Sequence, residues 1–167
     1  KLSRRERSCQ MGLESTILDI SGNKPTLLRL GTITQDDIET LIGPIEVCVE
    51  AKDDSDIKSP GQLLKHYAPS IPLRLNAVDV KEGEALLGFG SLKFMGLEGR
   101  GFAKDLPADS LRNLSENGDL HEAATNLFAY LHDLDDPSLH RGIAVMNIPD
   151  VGLGKAINDR LKRATNS

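Results

Sequence analysis

The feature that most constrains this chain is the segment GIAVMNI at 142–148, which is apolar at almost every position. Such a strand is expected in a parallel sheet whose two faces are both covered. An amphipathic helix precedes it over residues 119–134, because the apolar side chains there recur at the spacing of one buried face. Asp119 with Glu122 predicts a capping box at its start. The side chains of the buried face are Leu120, Ala123, Ala124, Leu127, Phe128, Leu131 and Leu134.

The segments around this strand extend the pattern. Short apolar strands are predicted at 72–78 and 85–91, and a further strand around 100–106. Alternating strands and helices predict a small Rossmann-like α/β domain over residues 73–167. Gly152 opens the last helix, and its inward positions are Leu153, Ile157, Leu161 and Ala164.

Residues 1–50 show another pattern, in which two strands precede a helix. The segments GLESTILDI (12–20) and TLLRL (26–30) are predicted to pair as a hairpin. The helix begins after Thr34, a good N-cap, and ends at Gly43, a natural C-cap. Its apolar face is formed by Ile38, Leu41 and Ile42.

Residues 51–72 have the composition of a linker, since a charged stretch is followed by SPGQLLKHYAPSIP with three prolines. This linker contains Lys65, His66 and Tyr67. An imidazole and a phenol on a flexible arm could close over a ligand as a lid. The alternative is a tether whose tyrosine packs on a neighbouring domain.

Composition narrows the classes of function. The chain has 167 residues, two cysteines, six aromatic residues without tryptophan, and a net charge of −5. Two cysteines argue against a disulfide scaffold, and the acidic balance argues against a strong nucleic-acid binder. No apolar stretch is long enough for a membrane span, and a cytoplasmic location is expected.

The chain starts at Lys1 rather than methionine, and KLSRRERS (1–8) carries four basic residues. The interpretation we favour is a piece of a longer protein that begins within a domain. A basic arm for nucleic acid is the alternative.

Three local features could carry chemistry. Ser15 and Thr16 with Arg29 could hold a carboxylate or phosphate, because a guanidinium offers a planar fork of donors. The alternative is two ordinary strand hydroxyls and a surface arginine. The turn at 150–154 could bind an anion at a helix start, or serve only tight strand-to-helix packing. The third feature is the Lys65–Tyr67 segment of the linker.

The histidines do not have the spacing of a metal site, so no metal-binding residues are predicted. Exposed helix positions are the favoured interpretation for the set, which comprises His66, His121, His132 and His140.

Three motifs in order carry a family resemblance. GLESTILDI with LLRLGTIT (27–34) resembles the end of the catalytic domain of YrdC-like threonylcarbamoyl-AMP synthases. SPGQLLKHYAP (59–69) is similar to the linker of their two-domain members. NLSENGDLHEAATNLFAYLHDLD (113–135) with IPDVGLGKAINDRLKRA (148–164) is similar to their C-terminal domain.

The resemblance implies a nucleotidyltransferase that makes threonylcarbamoyl-AMP from L-threonine, bicarbonate and ATP with Mg²⁺, releasing pyrophosphate. A partner transferase machinery then modifies tRNA. The family's ATP-binding and Ser-x-Asn stretches lie upstream of the GLEST motif, and residues 1–11 of this chain contain neither. The chain by itself is therefore expected to be inactive.

The resemblance also implies site residues. Ser15 matches a serine near bound threonine, and Arg29 matches an arginine that contacts ATP. Tyr67 matches a linker residue that closes over the nucleotide, with Lys65 and His66 beside it. The family usually has proline where this chain has Leu30, which restores a backbone N–H at that turn.

Two alternatives stay open. The chain could be a non-catalytic module that binds a nucleotide or a protein partner, or a related carbamoyl-transfer enzyme. Residues 73–167 carry 11 basic and 14 acidic residues, which argues against strong direct contact with tRNA.

Overall fold

The structure is a computed structural model, and it describes residues 12–48, 68–93, 96–97 and 103–165. The first part is a three-stranded sheet in the order β1-β2-β3, with one helix between β2 and β3. β1 and β2 are antiparallel and β3 joins β2 in parallel, so the predicted pairing is confirmed with shorter strands. The elements are β1 Ile17–Asp19, β2 Thr26–Arg29, α1 Gln35–Ile42 and β3 Glu46–Val47.

The second part is a four-stranded parallel sheet in the order β4-β9-β6-β8, accompanied by two longer helices. A small parallel pair, β5-β7, lies beside it. This arrangement confirms the mixed α/β fold. The strands are β4 Leu73–Ala77, β5 Asp79–Val80, β6 Glu84–Gly88, β7 Gly96–Leu97, β8 Leu111–Asn113 and β9 Gly142–Met146. The helices are α2 Leu120–Leu134 and α3 Leu153–Thr165.

The large sheet is covered on both faces, because successive side chains of a strand point to opposite sides. Ile143 and Val145 of β9 pack in the main cluster with α2 and α3, whereas Ala144 packs in a second cluster with Val80 and Ala103. Both faces of β9 are therefore buried, as its continuous apolar sequence predicted.

Two details differ from the sequence predictions. The described residues Ala103–Asp105 form a short 3-10 turn instead of a strand. The capping box predicted for α2 is wrong: Asp119 accepts a hydrogen bond from the His121 N–H. The Glu122 carboxylate accepts from the Ser115 hydroxyl, 2.5 Å away, because Ser115 lies buried against the start of the helix.

The helix α1 forms as its local signals predicted. Thr34 and Asp37 make a reciprocal capping box, and Gly43 closes the helix with a φ of 83°. None of its side chains is buried, however, and Leu41 is 83% exposed. Of the predicted apolar face of α1, Leu41 and Ile42 are thus exposed and Ile38 is half-buried.

The two parts contact each other at the start of the described chain. A Cβ at Gly12 would lie 2.4 Å from the Thr125 carbonyl oxygen and 2.5 Å from that of Ala124, so its backbone rests directly on α2. Leu13, next to it, is 2% exposed and belongs to the main cluster of the second part.

Among the helices in the described residues, none combines the length and apolar character needed to cross a membrane.

Candidate functional site

Ser15 and Arg29 lie together at the open end of the β1–β2 pair. Arg29 is the last residue of β2 and pairs with Ile17, and its side chain turns back toward the residues that precede β1. Its Nε donates to the Ser15 carbonyl oxygen at 2.9 Å, and its Nη2 donates to the Ser15 hydroxyl at 2.9 Å. The guanidinium is thereby fixed in orientation beside an exposed serine.

Thr16, expected on the same side, is used differently. Its hydroxyl donates to the Ile33 carbonyl oxygen at 2.6 Å and accepts from the Ile33 N–H at 3.1 Å. These two bonds hold the chain that leaves β2 against the chain that enters β1. Thr16 is thus a structural residue of this turn, and the expected pair of hydroxyls beside Arg29 is reduced to Ser15.

Gly31 is required where these two segments cross. A Cβ there would lie 2.4 Å from both the Glu14 carbonyl oxygen and the Thr16 backbone nitrogen. Real side chains do not tolerate such distances to backbone atoms, so only glycine allows this close approach. The backbone around Ser15 is therefore tightly constrained.

Glu14 joins this site to helix α3 through a buried arginine that the sequence reasoning missed. The Nη2 atom of Arg160 donates to Glu14 Oε2 at 2.7 Å and to the Leu30 carbonyl oxygen at 3.0 Å. Arg29 Nη1 lies 3.7 Å from the same carboxylate oxygen. The Arg160 side chain is only 7% exposed, and its Nε has no hydrogen-bond partner in the described residues.

A signal for Arg160 was present in the sequence. Ile157 and Leu161 were placed on the inward face of the last helix, and Arg160, between them, falls on the same face at helical spacing. A buried arginine needs a carboxylate partner. The sequence alone did not show that Glu14, at the other end of the chain, supplies it.

Leu30, which stands where the family usually has proline, also contributes to this joint. Its carbonyl oxygen accepts the Arg160 bond, and its side chain packs against the main cluster. Arg29 keeps its two bonds to Ser15 with leucine at this position.

The turn at 150–154 has the geometry of tight packing. A Cβ at Gly154 would lie 1.8 Å from the Pro149 carbonyl oxygen. The Asn158 side chain donates to the Ile148 carbonyl oxygen at 3.1 Å and to Asp150 Oδ1 at 3.2 Å, closing the turn. The packing alternative accounts for Gly154, whereas Gly152 has open space around it and a φ of 50°, a backbone conformation that glycine favours.

The linker residues Lys65, His66 and Tyr67 lie outside the described residues. Where the description resumes, the Asp135 carboxylate accepts hydrogen bonds from the Ser70 N–H and hydroxyl and from the Ile71 N–H. Partial burial acts to raise the pKa of Asp135, but these bonds outweigh it and lower the pKa below 3.8. An ionised carboxylate thus ties residues 70–71 to the end of α2.

The histidines are divided between two environments. His121 and His132 are exposed on α2, as predicted. His140 is not on a helix and is 6% exposed, with its ring Nε2 3.3 Å from the Asp109 carbonyl oxygen, so the exposed interpretation is wrong for it. Within the described ranges, no three His, Cys, Asp or Glu side chains group as metal ligands would.

Known proteins resemble this chain over most of its length. The family model described as "Threonylcarbamoyl-AMP synthase, C-terminal domain" matches residues 33–166. A threonylcarbamoyl-AMP synthase of Bacillus subtilis is 32% identical over 158 residues, covering 92% of this chain and 45% of the relative. One of Pyrococcus abyssi is 31% identical over 164 residues, covering 93% and 46%.

Solved structures agree. The crystal structure of P. abyssi Sua5 complexed with L-threonine matches with a TM-score of 0.69 at 26% identity, over 94% of this chain and 47% of that one. A variant of that protein, with a consecutive histidine and tyrosine replaced by alanine, matches with a TM-score of 0.62 at 22% identity, over 94% and 46%.

The chain spans about half the length of the relatives it matches. The family model, in contrast, covers most of the chain itself. The chain therefore belongs to the family of the threonylcarbamoyl-AMP synthase C-terminal domain.

Proposed function

We propose that this chain is part of an L-threonylcarbamoyladenylate synthase that serves the threonylcarbamoyladenosine modification of tRNA. The threonine amine forms a bond to the carbon of bicarbonate, and water leaves, which gives a carbamate. A carbamate oxygen then attacks the α-phosphorus of ATP, and the bond to pyrophosphate breaks. The observation that carries the proposal is the Arg29–Ser15 pair, in a chain whose relatives are named for this product.

Ser15 and Arg29 have complementary roles in this proposal. The exposed Ser15 hydroxyl is proposed to donate a hydrogen bond to the threonine carboxylate, and Arg29 is proposed to supply positive charge for the phosphates of ATP. A prepositioned cation stabilises negative charge that develops during the reaction. Because Arg29 donates to both the carbonyl and the hydroxyl of Ser15, the positions of the two side chains depend on each other.

The linker residues Tyr67, His66 and Lys65 are proposed to cover the adenylate. A mixed carboxylic–phosphoric anhydride is labile to water, so a cover limits its hydrolysis. Support comes from the alanine variant of P. abyssi Sua5, since a consecutive histidine and tyrosine were the residues changed there. This chain contains that dipeptide once, at His66–Tyr67.

Mg²⁺ is proposed only as the ion that accompanies ATP. The described residues contain no group of carboxylates and histidines that fits a metal. We therefore derive no step through the ion, and its ligands would be largely phosphate oxygens and water.

The division into residues 1–50, 51–72 and 73–167 is proposed as catalytic-domain part, linker and C-terminal domain. In support, β1–β3 end before residue 51 and β4 begins at Leu73. The family match starts earlier, at residue 33. A cytoplasmic location and a transferase machinery acting on tRNA as partner complete the proposal, with weak direct tRNA contact in view of the net charge of −5.

The test joins this chain to the portion of the Bacillus subtilis relative that it does not cover. We expect pyrophosphate release that requires ATP, threonine and bicarbonate together, and a loss of about 100-fold or more in Arg29→Ala. Lys24→Ala is the matched control, because Lys24 is an exposed cation on the same hairpin and pairs with Glu46. A folded fusion without threonine-dependent release, beside an active Bacillus enzyme, would refute the proposal.

Tyr67→Ala in the same fusion tests the cover. We expect kcat/KM to fall about 30- to 150-fold from the loss of a hydrogen bond and ring burial, with the melting temperature little changed. Tyr67→Phe separates the hydroxyl from the ring. Unchanged kinetics would return Tyr67 to the role of a spacer residue, and a large drop in melting temperature would identify interdomain packing instead.

A further inference from the structure

A crevice opens where the chain leaves the neighbouring strands β4 and β9 toward opposite faces of the large sheet. After β4 it continues into β5, whose Val80 packs in the second cluster. After β9 it continues into α3, whose Ile157 and Leu161 pack in the main cluster. Ligands of open α/β sheets bind outside the carboxyl ends of strands at such a switch point.

The crevice has the size of a compact ligand. Its volume is about 270 Å³, and its walls come from the ends of β4 and β9 and from α3. Small-molecule pockets span about 300–1,000 Å³, so this one suits a single nucleoside better than a dinucleotide. Leu75, Met146 and Leu161 supply an apolar wall.

The backbone at this site is unusual. Asn76 has a φ of 54°, and in the described residues no other non-glycine residue has a positive φ. It lies in β4 where the pairing with β9 shifts register between Arg74 and Ala77. Asparagine adopts this region more readily than most residues with a side chain, and such conformations concentrate at binding sites. The irregularity places Asn76 on the wall of the crevice.

Three polar side chains that line the crevice are free to bind. Within the described part of the chain, the Asn76 and Asn147 carboxamides and the Lys162 ammonium have no hydrogen-bond or ion-pair partner. Asp150 is engaged through Oδ1 by Asn158. The crevice thus combines two free carboxamides, an ammonium and a carboxylate around an apolar wall.

We propose that this crevice binds an adenine nucleoside. A carboxamide matches the adjacent donor and acceptor of the adenine edge, and the Asp150 carboxylate can accept from ribose hydroxyls as acidic residues do at such switch points. The apolar wall covers a base, and Lys162 provides a cation for a 5′-phosphate. The site shares no residue with the Ser15–Arg29 cluster, and the proposal does not depend on the proposed synthase activity.

The test uses this chain as it is, titrated with adenosine, adenosine 5′-monophosphate and guanosine, and followed by calorimetry and amide NMR. We expect saturable one-site binding of adenosine, tighter binding of the monophosphate, and weaker binding of guanosine. Shifts should centre on the side-chain amides of Asn76 and Asn147. The proposal would be overturned if neither adenosine nor its monophosphate bound saturably at concentrations up to about 1 mM. A Kd of that size corresponds to a binding free energy of only about −4 kcal/mol. Guanosine binding as tight as that of adenosine would also overturn it.

Variants locate the site. Asn147→Ala should weaken both adenine ligands about tenfold, and Asn76→Gly should do the same while keeping the left-handed backbone. Lys162→Met should weaken the monophosphate alone. Lys155→Met, on the same helix outside the crevice, should change neither affinity.

Arg29→Ala separates this proposal from the synthase proposal. Arg29 is proposed to contact phosphates and adenosine carries none, so adenosine held in the crevice should not respond to this change. If Arg29→Ala abolishes binding and the crevice variants do not, the nucleotide binds beside Ser15 and the crevice proposal is wrong. A failure of the synthase proposal would instead appear in the pyrophosphate assay, with nucleoside binding intact.

Discussion

Residues 12–48 and residues 68–165 contain the same kinds of elements, yet they are stabilised in different ways. The second region has a sheet covered on both faces, with five fully or nearly buried positions on α2 alone. In the first region α1 buries none of its residues and both residues of β3 are exposed. Its large exposed apolar side chains are Ile20, Ile33, Leu41, Ile42 and Val47.

The first region therefore keeps its folded structure through local hydrogen bonds and through its contact with the second region. The Thr34 capping box and the Thr16–Ile33 bonds fix its backbone locally. Leu13 and the Glu14–Arg160 bond attach it to the core of the other region. We expect the second region to unfold as one cooperative unit and the first to open separately at lower cost.

The largest expected difference in the free energy of unfolding is between two leucine-to-alanine substitutions, one in each region. Leu127 is fully buried, so Leu127→Ala should lower the free energy of unfolding by about 2–5 kcal/mol. Leu41 is 83% exposed, and Leu41→Ala should change it by no more than about 0.5 kcal/mol. Urea denaturation measures both. Equal losses would show that the two regions share one core.

Arg160→Ala tests the attachment itself. The substitution leaves Glu14 without its closest cation. The free energy of opening residues 12–33 should therefore fall by about 2–3 kcal/mol. The loss is smaller than for a wholly buried ion pair because Glu14 is partly exposed. Hydrogen exchange should show this loss with residues 73–165 still protected. Lys162→Ala is the matched control on the same helix. Uniform loss across both regions, or none, would contradict the interpretation.

The two helix caps give a smaller contrast. Thr34→Ala and Asp119→Ala each remove a side chain that accepts a backbone N–H, at a cost of about 1 kcal/mol. For α2 the cost should appear in global unfolding, because that helix belongs to the core. For α1 it should appear only as faster amide exchange within residues 35–42. A global effect of Thr34→Ala would break the distinction.

The smallest expected effect is the loss of a stabilising carboxylate, Asp135, at acidic pH. The pKa of Asp135 is lowered in the fold, so its contribution is present above the unfolded value near 3.8 and is lost as pH falls through the folded pKa. Asp135→Asn should cost about 0.5–1 kcal/mol at pH 6. Melts from pH 6 to pH 2 should show the two proteins converging. Glu116→Gln, an exposed control, should track the unchanged protein, and a constant difference at all pH values would exclude this role for Asp135.

Elements with local signals could be predicted from the sequence. The spacing of Leu127 and its neighbours gave α2, and the apolar run gave β9, because period and hydrophobicity are properties of consecutive residues. The β8 strand, Leu111–Asn113, was missed because three half-buried residues carry no such period. The capping box of α2 failed because Ser115, outside the motif, competes for Glu122.

The candidate site divides in the same way. Ser15 and Arg29 could be placed together because the two predicted segments of one hairpin, 12–20 and 26–30, contain them, and the structure joins them. The Glu14–Arg160 bond joins residues 146 positions apart, and the left-handed Asn76 follows from a register shift between strands that are distant in sequence. Such features arise only from the assembled sheet, so a local pattern does not contain them.

The position of β9 between β4 and β6 has a consequence for synthesis on the ribosome. Among the described strands, β9 is the last to be made and is an inner strand, so Leu73 finds its partner only when Ile143 has emerged. Until then β4 and β6 each present an unsatisfied strand edge to solvent, and long-range pairing of this kind is slow. Nascent chains that end before Gly142 should therefore be bound by chaperones and cut by proteases that spare chains containing β9. Pulse proteolysis of stalled chains ending before and after β9 would show whether the last strand acts as the closing step of folding.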